Sequence, residues 1–269
     1  MAIRILLSLV VCALLLSLIR RSWRRLIAIV RQPRLLALTA LAGILIYLNW
    51  QAFTIGTLTD RVIETSLGYF INPIVTVLFG VLVFRERLRP TQWTAIALAG
   101  VAVGVIVVGY GSVPWIALTL AASFGSYGLV KKKLGPAVDA VSGLTLETIW
   151  LAPVAVAQLV IVGATTGLTF GNSGALHTVL LSAAGVATTV PLLLFAAGTR
   201  RSTLTVVGIL QFVTPLMQFA VGVWLLGEPM PPERWIGFAV VWLALIVLTV
   251  DSVLFARRSR RHPPIGEVA

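Results

Sequence analysis

The chain has 269 residues, of which 58% are hydrophobic and only 11% charged, with a mean hydropathy of +1.00. A soluble domain carries about a quarter charged residues, so this composition excludes a water-soluble globular protein and makes lipid the solvent. The net charge of +12 would suit nucleic acid, but the basic residues stand in short clusters between apolar runs, which is membrane topology and argues against a nucleic-acid partner.

A helix needs about 20 apolar residues to cross the hydrocarbon. In chain order the runs Ile3–Ile19, Leu35–Thr57, Val62–Phe84, Thr91–Tyr110, Val113–Val130, Gly143–Gly163, Leu176–Ala197, Thr203–Leu226 and Arg234–Phe255 meet this need. The expected fold is therefore all-α, a polytopic transmembrane bundle with nine crossings joined by short loops. A signal peptide competes for the first run, but a small-residue cleavage site is lacking and a dense basic cluster follows, which favours a retained helix. The single Cys12 excludes an intrachain disulfide, and His177 and His262 are too isolated for a metal site.

Charge orients the crossings. Arg20, Arg21, Arg24, Arg25, Arg31 and Arg34 follow the first run, Arg85, Arg87 and Arg89 the third, and Lys131, Lys132 and Lys133 the fifth. Arg200 and Arg201 follow the seventh, and Arg257, Arg258, Arg260 and Arg261 the ninth. All fall on one side if the crossings alternate, while the other side receives Arg61 and Arg234. The crowded side is expected to be cytoplasmic, with the C-terminus on it; the membrane that the resemblance given below implies is the bacterial inner (plasma) membrane.

The chain also repeats itself. At an offset of 142, Gly43 falls on Gly185, Phe70 on Phe212, Pro73 on Pro215, Gly80 on Gly222, Glu86 on Glu228, Pro90 on Pro232 and Trp93 on Trp235. Residues 1–110 form the first repeat and 113–255 the second, with 256–269 a basic cytoplasmic tail. An odd number of crossings separates equivalent helices, so the repeats are inverted across the membrane, a pattern of alternating-access transporters. The run Val113–Val130 has its counterpart upstream of Met1, so a ten-helix plan that lacks its first helix is expected.

GYFINP (Gly68–Pro73), RERLRPTQW (Arg85–Trp93), SFGSYGLVKKK (Ser123–Lys133) and LETIWLAPVA (Leu146–Ala155) resemble the RarD-type EamA permeases of the drug/metabolite transporter superfamily. The resemblance spans Arg4 to Asp251. It implies two inverted five-helix EamA repeats, cytoplasmic termini, and movement of small metabolites or drugs, often outward. The family's repeat ends on Gly-Glu, kept here at Gly227 and Glu228, whereas Arg85 replaces the glycine in the first half.

Polar groups at membrane depth are costly and mark candidate substrate contacts. Glu147, followed by Trp150, can pair with Arg4 from the opposite half, read a charged substrate or exchange a proton; a fixed ion pair or interfacial snorkelling is the structural alternative. Asn49 and Trp50 can contact substrate or join helices. Glu64, Tyr69 and Asn72 precede Pro73, and Gln211 precedes Pro215, so the two prolines are candidate hinges, with static kinks as the alternative. Glu86 and Glu228 are expected to serve the N-termini of the helices that follow them, and Gly100 and Gly104 to pack helices closely.

No HExxH, P-loop or dinucleotide fingerprint is present, so no catalytic residue, cofactor or metal is expected. The reading is a secondary carrier, an exporter working by alternating access, with a small-molecule substrate and the lipid bilayer as partners. Homo-oligomerisation is compatible with it, and a truncated, transport-inactive or structural membrane protein is the alternative.

Overall fold

The computed structural model describes residues 1–19, 22–109, 113–165, 167–168, 170–172, 174–211 and 213–227, with scattered positions between 232 and 250. Its helices are α1 (Ala2–Leu18), α2 (Ser22–Val30), α3 (Pro33–Leu58), α4 (Val62–Phe84), α5 (Pro90–Gly109), α6 (Trp115–Leu134), α7 (Ala140–Thr165), α8 (Ala175–Arg201), α9 (Leu204–Gln211) and α10 (Val213–Ala220), followed by a π-helical turn at Val221–Leu225.

Eight of the expected crossings coincide with these helices, and Val62–Phe84 agrees to the residue. The ninth, Arg234–Phe255, falls largely outside the described residues, as do Arg20, Arg21, Glu228 and the tail. Pro33–Leu58, Val62–Phe84, Ala140–Thr165, Ala175–Arg201 and Leu204–Leu225 are each long and apolar enough to cross a membrane. The chain is thus an all-α, multi-pass membrane protein.

The segment after α1 departs from the expected basic loop. Ser22–Val30 is a helix, and its Trp23–Val30 portion is bent 117° from α1. Leu26 and Ile29 are buried while Trp23 and Ile27 are exposed, so packing along one stripe holds the turn in helical form.

The chain forms two compact units, each drawn from both sequence repeats. One comprises Met1–Leu58 and Ala122–Leu204, the other Thr59–Ala121 and Thr205–Ala269. Ile5, Cys12, Leu16, Ile46 and Tyr127 lie in the core of the first. Ile63, Leu67, Phe70, Ala117 and Phe219 lie in the core of the second.

Within the first unit the duplication is visible as repeated packing. A Cβ on Gly43 of α3 would lie 3.1 Å from the Glu147 carbonyl of α7, and one on Gly185 of α8 would lie 2.5 Å from Leu7 Cβ of α1. Since α8 is the repeat copy of α3, and α7 of α1, the two glycines serve one crossing twice. Small residues at such points let helix backbones approach. Gly100 and Gly104 differ: nothing among the described residues lies within 4 Å of a Cβ built there, so the expected close packing is not formed among them. The GxxxG spacing is too weak a signal to fix a contact.

The repeat ends share a backbone conformation. Arg85, with φ of 55°, and Gly227, with φ of 65°, both occupy the left-handed region. At the end of α4 the Glu86 amide donates to the Gly80 carbonyl at 3.0 Å, a Schellman-type closure that needs this conformation. Glycine adopts it without steric penalty, whereas Arg85 does not.

Candidate functional site

The most heavily charged buried feature lies between α6 and α7. Glu147 is 0% exposed and Lys131 5%, and Lys131 Nζ lies 2.6 Å from Glu147 Oε1. Tyr127, one turn earlier on α6, donates its hydroxyl to Glu147 Oε2 at 3.0 Å. A Cβ on Gly143 would lie 3.3 Å from Lys131 Nζ, so the bare glycine leaves room for the ammonium.

This corrects one expectation. The fifth crossing continues through Leu134, which takes Lys131 out of the basic loop cluster and buries it. Of the alternatives open to Glu147 the structure forms a buried ion pair, with Lys131 and not with Arg4, and both carboxylate oxygens are engaged between α6 and α7.

Arg4 has a different setting. Its guanidinium lies 4.6 Å from the ring centroid of Trp50, a cation–π arrangement between α1 and α3. It lines a cavity of about 500 Å³ within the first unit, together with Thr54, Gln158, Val162, Leu168 and Leu181. Gln158 donates Nε2 to the Tyr47 hydroxyl at 2.7 Å, and its buried Oε1 has no hydrogen-bond partner. The cavity is therefore mostly apolar, with the Arg4 guanidinium and the partnerless Gln158 Oε1 among its lining groups. That volume lies in the range of small-molecule sites, about 300–1,000 Å³.

In the second unit, α4 crosses α9–α10 near Pro73. Asn72 Nδ2 donates to Gln211 Oε1, and Gln218 Nε2 donates to Thr65 Oγ1 at 3.0 Å. At the offset of 142 the Gln218–Thr65 contact maps onto Thr76 and Val207, since Gln218 is the copy of Thr76 and Val207 the copy of Thr65. Thr76 would thus find its symmetric partner at an apolar position, and its hydroxyl is buried without a partner. Asn72 Oδ1 and Gln211 Nε2 are likewise buried and without partners. A Cβ on Gly208 would lie 3.1 Å from the Pro73 carbonyl, so α9 passes close to the proline step. Pro215 sits on the α10 backbone.

Other expected contacts lie elsewhere. Glu64 pairs with Arg61 and accepts the Ile116 amide at 3.0 Å, capping the start of α6. Asn49 donates to Ser123 at 3.2 Å, joining α3 to α6. Tyr69 is half-buried, and Trp150 is 45% exposed, three residues beyond the buried Glu147. Glu86 accepts the Thr205 amide at 3.0 Å and its hydroxyl at 2.7 Å, so it serves the start of α9, distant in sequence, as well as closing α4. Gln92 serves the next helix as well, its Oε1 accepting the Arg89 amide at 2.9 Å. Only a fold that brings α9 to the end of α4 makes Glu86's choice available.

Sequence reasoning missed Lys131, Tyr127, Gln158 and Thr76. For Tyr127 and Lys131 a signal existed: they are spaced one turn apart and so share one face of a helix-length run. Among the described residues no group of three or more His, Cys, Asp and Glu could hold a metal ion.

No protein-family model matches the chain. Protein RarD of Streptomyces exfoliatus is 45% identical over 260 residues, which covers 97% of this chain and 82% of that relative. An uncharacterized transporter of Vibrio cholerae is 38% identical, covering 96% and 84%. Chloramphenicol-sensitive protein RarD of Pseudomonas aeruginosa is 32% identical, covering 91% and 79%. A crystal structure shares the fold, with a TM-score of 0.61 at 16% identity over 92% of this chain and 86% of its own. Identity at this level over nearly the whole chain, on a multi-pass helical fold, carries the conclusion that the chain belongs to the RarD family of membrane transporters.

Proposed function

We propose that the protein is a secondary carrier of the inner membrane that exports small amphipathic metabolites or drugs by alternating access. The observation that carries this reading is the cavity of about 500 Å³ bearing Arg4 and Gln158 on otherwise apolar walls. A guanidinium beside an indole face and an open amide oxygen would hold a substrate having both an acceptor or anionic group and a donor. The inverted repeats would exchange roles as the two halves rock. The α4 crossing at Pro73 would yield during that motion, because proline removes a helix hydrogen bond and Asn72, Gln211 and Thr76 leave polar atoms to be taken up in another arrangement. Trp50 would complete the substrate's surroundings, Pro215 would hinge the second repeat, and Glu147 would fix the first unit through Lys131. The basic face would be cytoplasmic.

Accessibility of the cavity tests this without knowledge of the substrate. Leu181→Cys on a Cys12→Ala background is exposed to a membrane-impermeant maleimide in right-side-out and inside-out vesicles. A carrier is modified from both sides; modification from one side only would refute alternating access.

A further inference from the structure

A second cavity, of about 410 Å³, lies in the first unit where the ends of α2, α6 and α8 meet the start of α7. Arg25, Gln32, Asp139 and Arg200 supply its polar groups, with Ile29 and Pro136 among its apolar ones. Two guanidiniums face one carboxylate there. Asp139 already spends Oδ1 on the Ser142 amide at 3.0 Å, capping α7, and neither Arg25 nor Arg200 has an ion-pair partner among the described residues. The cavity is therefore net cationic. Arg200 is held against its wall, since a Cβ on Gly135 would lie 2.8 Å from Arg200 Cγ.

The helix α2 independently fixes the depth of this cavity. Trp23, Ile27 and Val30 are 50%, 49% and 43% exposed and recur at helical spacing, forming an apolar stripe that nothing in the unit covers. Arg24 and Arg31 flank that stripe, and Leu26 and Ile29 anchor the opposite side to the unit. A helix bent 117° from α1, with exposed aromatic and aliphatic residues beside arginines, has the pattern of a helix that rests in the membrane interface. Arg25 projects from its unit-facing side into the cavity, which places the two arginines at headgroup level.

We propose that this cavity binds the phosphate headgroup of an anionic phospholipid of the cytoplasmic leaflet, held between Arg25 and Arg200. The orientation rests on the charge distribution; the binding does not depend on the carrier reading.

The test uses the full chain purified in detergent and observed by native mass spectrometry with added phosphatidylglycerol or phosphatidylcholine. Wild type is expected to retain phosphatidylglycerol in preference to phosphatidylcholine. Affinity should fall about fivefold for R25Q or R200Q and about thirtyfold for the double variant, while R25K/R200K retains it. Both side chains are exposed, so these variants fold, as an unchanged elution profile verifies. Equal phosphatidylglycerol retention by wild type and the double variant overturns the proposal, as does equal retention of the two lipids. Displacement by inorganic phosphate beyond that by chloride at the same ionic strength also overturns it, in favour of a soluble phosphate ligand.

Discussion

The Lys131 ammonium lies 2.6 Å from the Glu147 carboxylate, with both side chains almost wholly removed from solvent. In lipid or protein such a pair is stable only together, because removing one partner strands a buried charge. Lys131→Met or Glu147→Leu alone should therefore cost about 3–5 kcal/mol, and the double variant should recover most of it. Thermal unfolding of the purified chain in detergent checks this. If each single variant melts with wild type, the pair is not the buried contact described.

The repeated crossings at Gly43 and Gly185 make a graded prediction. Gly185→Ala places a Cβ against Leu7 and should destabilise by about 1–3 kcal/mol, more than Gly43→Ala, whose nearest neighbour stands farther away. Gly104→Ala meets nothing within 4 Å and serves as the control. Melting temperatures of the three variants should fall in that order.

Arg85 carries a left-handed φ that its repeat copy assigns to glycine. Arg85→Gly should raise stability by about 1 kcal/mol, and Gly227→Ala should lower it by a similar amount. Opposite shifts in melting temperature verify the pairing; parallel shifts contradict it.

Much of this architecture was legible in the residues. Apolar runs bounded by Arg and Pro gave the helices, since crossing length and backbone satisfaction leave few alternatives in lipid. The offset of 142 marked Gly43 and Gly185 as equivalent before their packing was known. The helix Ser22–Val30 was hidden because its arginines imitate a cytoplasmic loop, while its apolar residues divide between a buried and an exposed stripe. Lys131 was hidden for a different reason. Whether a lysine at a helix end snorkels or pairs is decided by the helix packed beside it, and the chain pattern does not carry that choice. Glu86 is alike: the Thr205 amide and hydroxyl that it accepts lie 119 positions away in sequence.

The α4 crossing separates stability from transport. Asn72→Ala leaves Gln211 without its partner and should cost about 1–3 kcal/mol, whereas Asn72→Leu with Gln211→Leu should restore stability yet abolish transport. Unfolding in detergent and uptake into vesicles, measured on the same preparations, read the two effects apart. Full transport by the leucine pair would remove this crossing from the mechanism.

The most direct test of the carrier reading is the steady-state accumulation of a panel of labelled amphipathic drugs in cells that produce the chain. Cells with the vector alone and cells producing Arg4→Ala/Gln158→Ala, matched for membrane insertion, are the comparisons. The account predicts, for at least one drug of the panel, a steady-state level below that of vector in wild-type cells that returns to the vector level in the double variant. A wild-type level indistinguishable from vector for every drug of the panel, with the protein shown to be inserted, would contradict it.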